Sequence, residues 1–173
     1  MTEYVVVIPA RYASTRLPGK PLRLIGDKPM LQHAWERASE SRAAEVVIAT
    51  DDERIAEAGE AFGATVCMTG PQHRSGTERI AEVADLCDWG DDVVVLNLQG
   101  DEPAMPATLL DECADLLSDP RADIATLASP IAGQADFENP NVVKVVCDNE
   151  GFALYFSRSP IPYPRQEAPD KPA

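Results

Sequence analysis

The chain has 173 residues, 45% hydrophobic and 25% charged, enough for one globular domain with a substantial core. Its 15 basic residues face 29 acidic ones, a formal net charge of −14, so its surface repels nucleic-acid phosphates and no nucleic-acid partner is expected. No apolar run has the length of a membrane span, and the first residues enter a strand without the regions of a secretory signal, so a cytoplasmic protein without membrane insertion is expected.

Tyr4-Val5-Val6-Val7-Ile8 reads as a buried parallel strand. Leu22 to Ile25 is short and compatible with an extended segment, and Gly26-Asp27 turns the chain toward Pro29, placed at the first position of a helix that carries Met30, Leu31, Ala34, Trp35 and Ala38 at helical spacing. Glu45 to Thr50 is the second main strand. Asp51 or Asp52 then caps a helix to about Phe62, ended by Gly63. Thr65 to Met68 is a third, short strand. After the loop 69–74, Thr77 or Ser75 caps a helix expected to bury Ile80, Val83, Ala84 and Cys87. Val93 to Leu98 is the most apolar segment and the fourth strand, ending at Gln99-Gly100-Asp101-Glu102-Pro103. Pro106 opens a helix with Leu109, Leu110, Cys113, Leu116 and Leu117 inward, and Asp123 to Ala128 is expected as strand five. The alternation predicts an α/β fold with a mainly parallel sheet and helices on both faces. Asn141–Cys147 and Phe152–Ser157 then read as a β-hairpin around Asp148-Asn149-Glu150-Gly151, an appendage on the core. The expected organisation is a core over 1–140, the hairpin over 141–162 and an irregular proline-rich tail over 163–173. Cys67, Cys87, Cys113 and Cys147 form no C-x-x-C pair and read as reduced, mostly core thiols rather than a zinc site.

Chemistry concentrates in the loop after the first strand. Between Pro9 and Pro21 stand three of the 15 cations, Arg11, Arg16 and Lys20, at the sheet edge where open α/β folds bind ligands. Such a loop is a candidate clamp for a polyanion such as a nucleoside triphosphate; the alternative is an ordinary surface loop with solvated cations. Its spacing matches neither G-x-G-x-x-G nor G-x-x-x-x-G-K-[ST]. Asp101, the first carboxylate after what is expected to be the most buried strand, can hold Mg²⁺ when phosphates supply the other ligands, or can simply cap a turn. Ser75 to Arg79 opens a helix whose free N–H groups favour anions or polar ligand edges. Arg79 in its first turn opposes the macrodipole, which hints at hydrogen bonding to a base, against a salt bridge with Glu82. His33 reads as structural, His73 lies in the loop before Ser75, and Arg158 is either a carboxylate clamp or a solvated edge charge. No nucleophile–base pattern supports covalent catalysis.

IPARYASTRLPGKPL (8–22), ATDDERI (49–55), HRSGTER (73–79), NLQGDEP (97–103), NPNVVKVV (139–146) and ALYFSRSPIP (153–162) together resemble the CMP-Kdo synthetase family, the 3-deoxy-manno-octulosonate (Kdo) cytidylyltransferases of lipopolysaccharide synthesis. The resemblance implies a three-layer Rossmann-like nucleotide-diphosphosugar transferase fold and Mg²⁺-dependent coupling of CTP to Kdo, giving CMP-Kdo and pyrophosphate. It implies that Arg11 and Lys20 hold the triphosphate, that Ala10, His73, Ser75 and Arg79 surround the cytosine, that Gln99 orients ligand groups, that Asp101 ligates Mg²⁺, and that Arg16 and Arg158 face the sugar acid. Family members continue beyond YFSRSPIP into a region with further Kdo contacts, a second metal-ligating Asp and much of a homodimer interface. The expectation is therefore an incomplete sugar side and exposed apolar surface on the hairpin, the nucleotide half surviving better. A non-catalytic nucleotide-binding module is the competing class. Among sugars, amino-Kdo stays open, whereas Tyr12-Ala13 disfavours a sialic acid.

Overall fold

Four consecutive apolar residues, Val5 to Ile8, leave no polar face to present to water, so their strand has to lie inside the sheet with both sides covered. In the computed structural model, which describes residues 2–13 and 17–163, β1 (Tyr4–Ala10) is that strand. Each of these four side chains is at most 6% exposed, and burying each is worth roughly 1.5–3 kcal/mol. β1 pairs in parallel with β4 (Glu45–Thr50) on one side and β6 (Val94–Asn97) on the other, and β4 carries β5 (Thr65–Met68), also parallel. The order is β5-β4-β1-β6. Between β1 and the first long helix, a tight hairpin of β2 (Leu24–Ile25) and β3 (Lys28–Pro29) turns at Gly26, whose φ of 66° is left-handed.

The helices divide unequally between the sheet's faces. α1 (Met30–Ser39), α2 (Glu53–Ala61) and α4 (Ala107–Asp115) pack Leu31, Ala34, Ala38, Ile55, Leu110 and Ala114 against Tyr4, Val6 and Ile8. The other face is covered by α3 (Gly76–Leu86), through Ile80 and Val83 on Val7, Val47 and Ala49. This is the layered α/β arrangement expected from the alternation of elements. Asp52 caps α2 through the Arg54 N–H at 3.1 Å, and Gly63, at φ 90°, follows its end. Ser75, rather than Thr77, caps α3 through the Glu78 N–H at 3.2 Å.

Several expectations are corrected. Asp123 to Ala128 forms no strand: it finds no hydrogen-bonding neighbour among the described residues, and Ile124 is 87% exposed. β6, the most apolar segment, is only half-buried because it is an edge of the sheet; β1 is the buried strand. Pro29 stands one position before α1, as its cap residue. Leu116 is exposed, since α4 passes into a 3₁₀ turn (Leu116–Ser118) there. The cysteines are free but not core: Cys67 and Cys113 are half-buried, Cys87 and Cys147 exposed. Cys87 follows the last turn of α3, beyond the part that meets the sheet.

The chain divides into two compact units, Met1–Ala125 and Thr126–Ala173. The second unit holds the five-residue helix α5 (Gln134–Glu138) and the antiparallel hairpin of β7 (Lys144–Cys147) and β8 (Ala153–Ser157). Its turn is set by Asp148, whose carboxylate accepts from the N–H groups of Glu150 and Phe152, both at 2.9 Å. Lys144 is 2% exposed, and its ammonium donates to the carbonyls of Asn139, Val142 and Arg158 at 2.7–3.0 Å, which offsets the cost of burying the charge. Leu154, Tyr155 and Phe156 are at least 50% exposed, matching the apolar surface expected on this hairpin.

Candidate functional site

From β1 the chain steps outward through β4 to β5, then returns across the sheet to β6 on the other side of β1. The strand order therefore reverses between β1 and β6, and the crevice beyond their carboxyl ends is where such sheets bind ligands. A cleft of about 310 Å³ lies there. Pro9, Ala10 and Arg11 at the end of β1 form one wall, Gln99, Gly100 and Asp101 after β6 another; Lys20 and Pro21 lie on one flank and Arg74, Ser75 and Gly76 on the other. Three cations thus meet one carboxylate in a protein of net charge −14, which makes the cleft a local attractor for anions.

Small residues keep it open. A Cβ on Gly76 would stand 3.3 Å from the Pro9 ring, a tight approach, and 3.7 Å from the Gln99 amide, an ordinary contact, so a side chain there would press on the Pro9 wall and touch the other. The cationic loop is closed at its base by the Gly19 N–H, which donates to the Tyr12 carbonyl at 2.9 Å, with Gly19 at φ 67°. Lys20 follows, opening a 3₁₀ turn (Lys20–Leu22), and its ammonium reaches Asp101 at 2.5 Å. Both partners are more than a third exposed, so this pair contributes at most about 1 kcal/mol and a charged ligand can exchange with either member.

The opposite wall is held more firmly. Arg11 Nη2 donates to the carbonyls of His73 (2.5 Å) and Ser75 (3.2 Å), stitching the β1 end to the loop before α3. The His73 ring turns away to the Glu82 carboxylate, which also accepts from the Gly70 N–H at 2.9 Å. Those bonds, from His73 first and from the Gly70 backbone, hold the Glu82 carboxyl below its ordinary pKa. The Glu78 carboxylate reaches back to the Arg74 N–H at 2.6 Å, one residue beyond the usual capping-box donor. Gln99 donates to Asn97 Oδ1 at 3.0 Å.

Of the residues singled out in the sequence, Ala10, Arg11, Lys20, Ser75, Gln99 and Asp101 come together at the cleft. His73 and Arg79 are not among its lining residues. Arg79 is wholly buried: it donates to Thr69 Oγ1 and forms an ion pair with Asp51 at 3.1 Å, not with Glu82. Its cation thus ties the ends of β4 and β5 beneath α3. Arg16 lies outside the described residues. Arg158 belongs to the second unit, where it donates to the Pro140 carbonyl at 2.9 Å. Sequence reasoning missed Arg74, although it stands inside HRSGTER; its position flanking the Ser75 cap was the available signal.

No three His, Cys, Asp or Glu residues cluster as a ready-made metal cage among the described residues. Asp101 offers one accessible carboxylate in the cleft, a donor set that fits Mg²⁺ only where ligand phosphates complete its shell. No helix among the described residues is long and apolar enough to cross a membrane.

A solved CMP:2-keto-3-deoxy-manno-octonic acid synthetase, complexed with CTP, is 44% identical with a TM-score of 0.81; the match covers 95% of this chain and 67% of that protein. A cytidylyltransferase from Leptospira borgpetersenii serovar Hardjo-bovis is 28% identical with a TM-score of 0.58, the match covering 69% of this chain and 50% of that one. A 4-diphosphocytidyl-2C-methyl-D-erythritol synthase at 16% identity and TM-score 0.62, over 90% of this chain and 71% of that one, shares the fold. The cytidylyltransferase family model matches residues 5–170, and the chain therefore belongs to the cytidylyltransferase family.

Proposed function

We propose that the cleft binds CTP and that the whole protein transfers its cytidylyl group to Kdo, releasing pyrophosphate. The observation that carries this reading is the Lys20–Asp101 pair at the mouth of a cationic cleft, in a chain 44% identical to a synthetase complexed with CTP. In the reaction, the anomeric hydroxyl oxygen of the sugar attacks the α-phosphorus. The bond from that phosphorus to the bridging oxygen breaks, the hydroxyl proton is lost and pyrophosphate departs. Such transfers ask the protein mainly for positioning and charge neutralisation.

Lys20, released from Asp101, would move its ammonium onto the triphosphate and stabilise the departing pyrophosphate. Among the described residues Arg11 uses only Nη2, on the loop carbonyls, and Nε and Nη1 would serve phosphate oxygens. Ala10 and Ser75, on facing walls, would bound the nucleotide, with Gln99 orienting ligand groups between them. Asp101 would hold Mg²⁺, which when bound neutralises phosphate charge and makes the attacking hydroxyl more acidic. His73 and Arg79 would act at one remove on the cytosine side, by fixing the loop and α3. Arg16 and Arg158 would serve the sugar carboxylate. A cytoplasmic location, a role in lipopolysaccharide synthesis and a homodimer of the longer protein belong to the same reading. Because the chain spans 67% of the synthetase, the alternative is a nucleotide-binding half without turnover.

Pyrophosphate release from CTP and Mg²⁺, with and without Kdo, tests both. Kdo-dependent release establishes the transferase. CTP binding without release leaves the nucleotide-binding half, and absence of Mg²⁺-dependent CTP binding rejects the proposal.

A further inference from the structure

The three cations of the cleft are not equivalent. Lys20 is paired with Asp101, and Arg11 is committed through one nitrogen to two carbonyls. Arg74 is exposed and lines the cleft, and its guanidinium has no hydrogen-bond or ion-pair partner among the described residues. Its main chain, by contrast, is fixed: its own N–H is taken by Glu78 at 2.6 Å, and the carbonyls before and after it are held by Arg11. The Glu78 carboxylate, four residues on, is thus engaged by the backbone of Arg74.

Arg74 also sits immediately before Ser75, the cap of α3, where the positive end of the helix disfavours a cation. An anion placed between the guanidinium and the first turn reverses that cost, because it meets the cation and the helix N–H groups together.

Resting on the CTP reading above, we infer that Arg74 is a further nucleotide-binding residue, whose guanidinium donates to phosphate oxygens of the bound nucleotide. A backbone clamped on both sides aims a free side chain at little entropic cost, since only the side-chain rotamers remain to be fixed on binding.

The experiment is calorimetric titration of the full chain, wild type, Arg74→Ala and Arg74→Lys, with CTP, CMP and cytidine in the presence of Mg²⁺, with thermal unfolding of each variant as a check on folding. Loss of a charge-assisted contact predicts about 10- to 100-fold weaker CTP binding by Arg74→Ala. The loss should shrink toward cytidine, Arg74→Lys should recover part of it, and the unfolding midpoint should stay where it is. Unchanged CTP affinity in Arg74→Ala overturns the inference. So does an equal loss for CTP and cytidine, which would place the side chain on the nucleoside or give it a purely structural role. Failure of the wild type to bind CTP is a separate result, and it removes the parent reading together with this one.

Discussion

The two ends of β1 do opposite work with the same kinds of side chain. At its amino end Tyr4 is wholly buried and donates to Asp111 at 2.6 Å. Asp111 also accepts from the Arg42 N–H at 2.8 Å, while the Arg42 guanidinium reaches Asp115 at 2.7 Å and Asp115 accepts from the Thr2 N–H at 3.2 Å. Every charge in that cluster has a partner. At the carboxyl end, seven residues along a single strand, Arg74 finds no partner among the described residues and Lys20 pairs with Asp101 where both are open to solvent. A sealed network lowers the energy of the folded state; an incompletely satisfied one keeps charge available for a ligand. Substitutions at the two ends should therefore separate stability from binding.

The largest effect is expected at the open end. Asp101→Ala should reduce any Kdo-dependent pyrophosphate release by about 10²- to 10³-fold, the usual scale for one electrostatic group at a transferring centre, and should abolish the Mg²⁺ dependence of CTP binding. Since the pair it breaks is exposed, unfolding stability should move by less than about 0.5 kcal/mol. A large fall in the urea midpoint would mean that the two ends are not separable.

The sealed end gives the converse. Asp111→Ala takes the carboxylate acceptor from the buried Tyr4 hydroxyl, leaving it Ser41, and removes an acceptor from the Arg42 backbone, at a cost of about 2 kcal/mol in urea unfolding. CTP affinity should be unaffected. Tyr4→Phe removes the donor without stranding it and should cost only about 1 kcal/mol, because Asp111 keeps its bond from Arg42. It should also erase a pH signature. Burial first, and then the hydrogen bond to Asp111, push the Tyr4 pKa up from 10.0 to about 12. The proton is held more tightly in the folded state, so this contribution is complete below pH 10 and is lost as pH rises toward about 12. Stability of the wild type should fall across that window more steeply than that of Tyr4→Phe; parallel curves would contradict the sealed-network account.

What could be read from the amino acids follows the same division. Local signals sufficed for β1, β4 and the caps Asp52 and Ser75, because burial on both faces and one side-chain bond are each written within a few residues. They also brought Arg11, Lys20 and Asp101 to one sheet edge, since each follows directly from a strand end or its loop. Partnerships distant in sequence were not legible. Arg79, opposing a helix dipole, read as a base-binding residue or a partner of Glu82, yet Asp51 and Thr69, at the ends of two other strands, absorb it in the interior. Asp123 to Ala128 has strand-like composition, but a strand is defined by a neighbour, and none of the described residues supplies one. Arg74 was passed over because an exposed arginine in a loop means nothing until the residues that fail to neutralise it are known.

The smallest effect expected is also the most selective probe of the open end. Gly76 occupies the first position of α3 at a φ open to any residue, so Ala there carries no backbone strain and gains a little helix propensity. Against this, its Cβ would stand 3.3 Å from Pro9, requiring the ring to yield by a few tenths of an ångström, and stability should stay within about 0.5 kcal/mol of wild type. The cleft, however, narrows between Pro9 and Gln99, where a nucleotide would enter. Gly76→Ala should weaken CTP several-fold, about 1 kcal/mol, with little change in the unfolding curve. Because the added methyl is uncharged, the loss should be nearly equal for CTP, CMP and cytidine, unlike the phosphate-graded loss expected of Arg74→Ala. A graded loss at Gly76 would show that the methyl acts by displacing the Arg74 loop and not by occupying space, and the two walls of the cleft would then have to be treated as one mechanical unit.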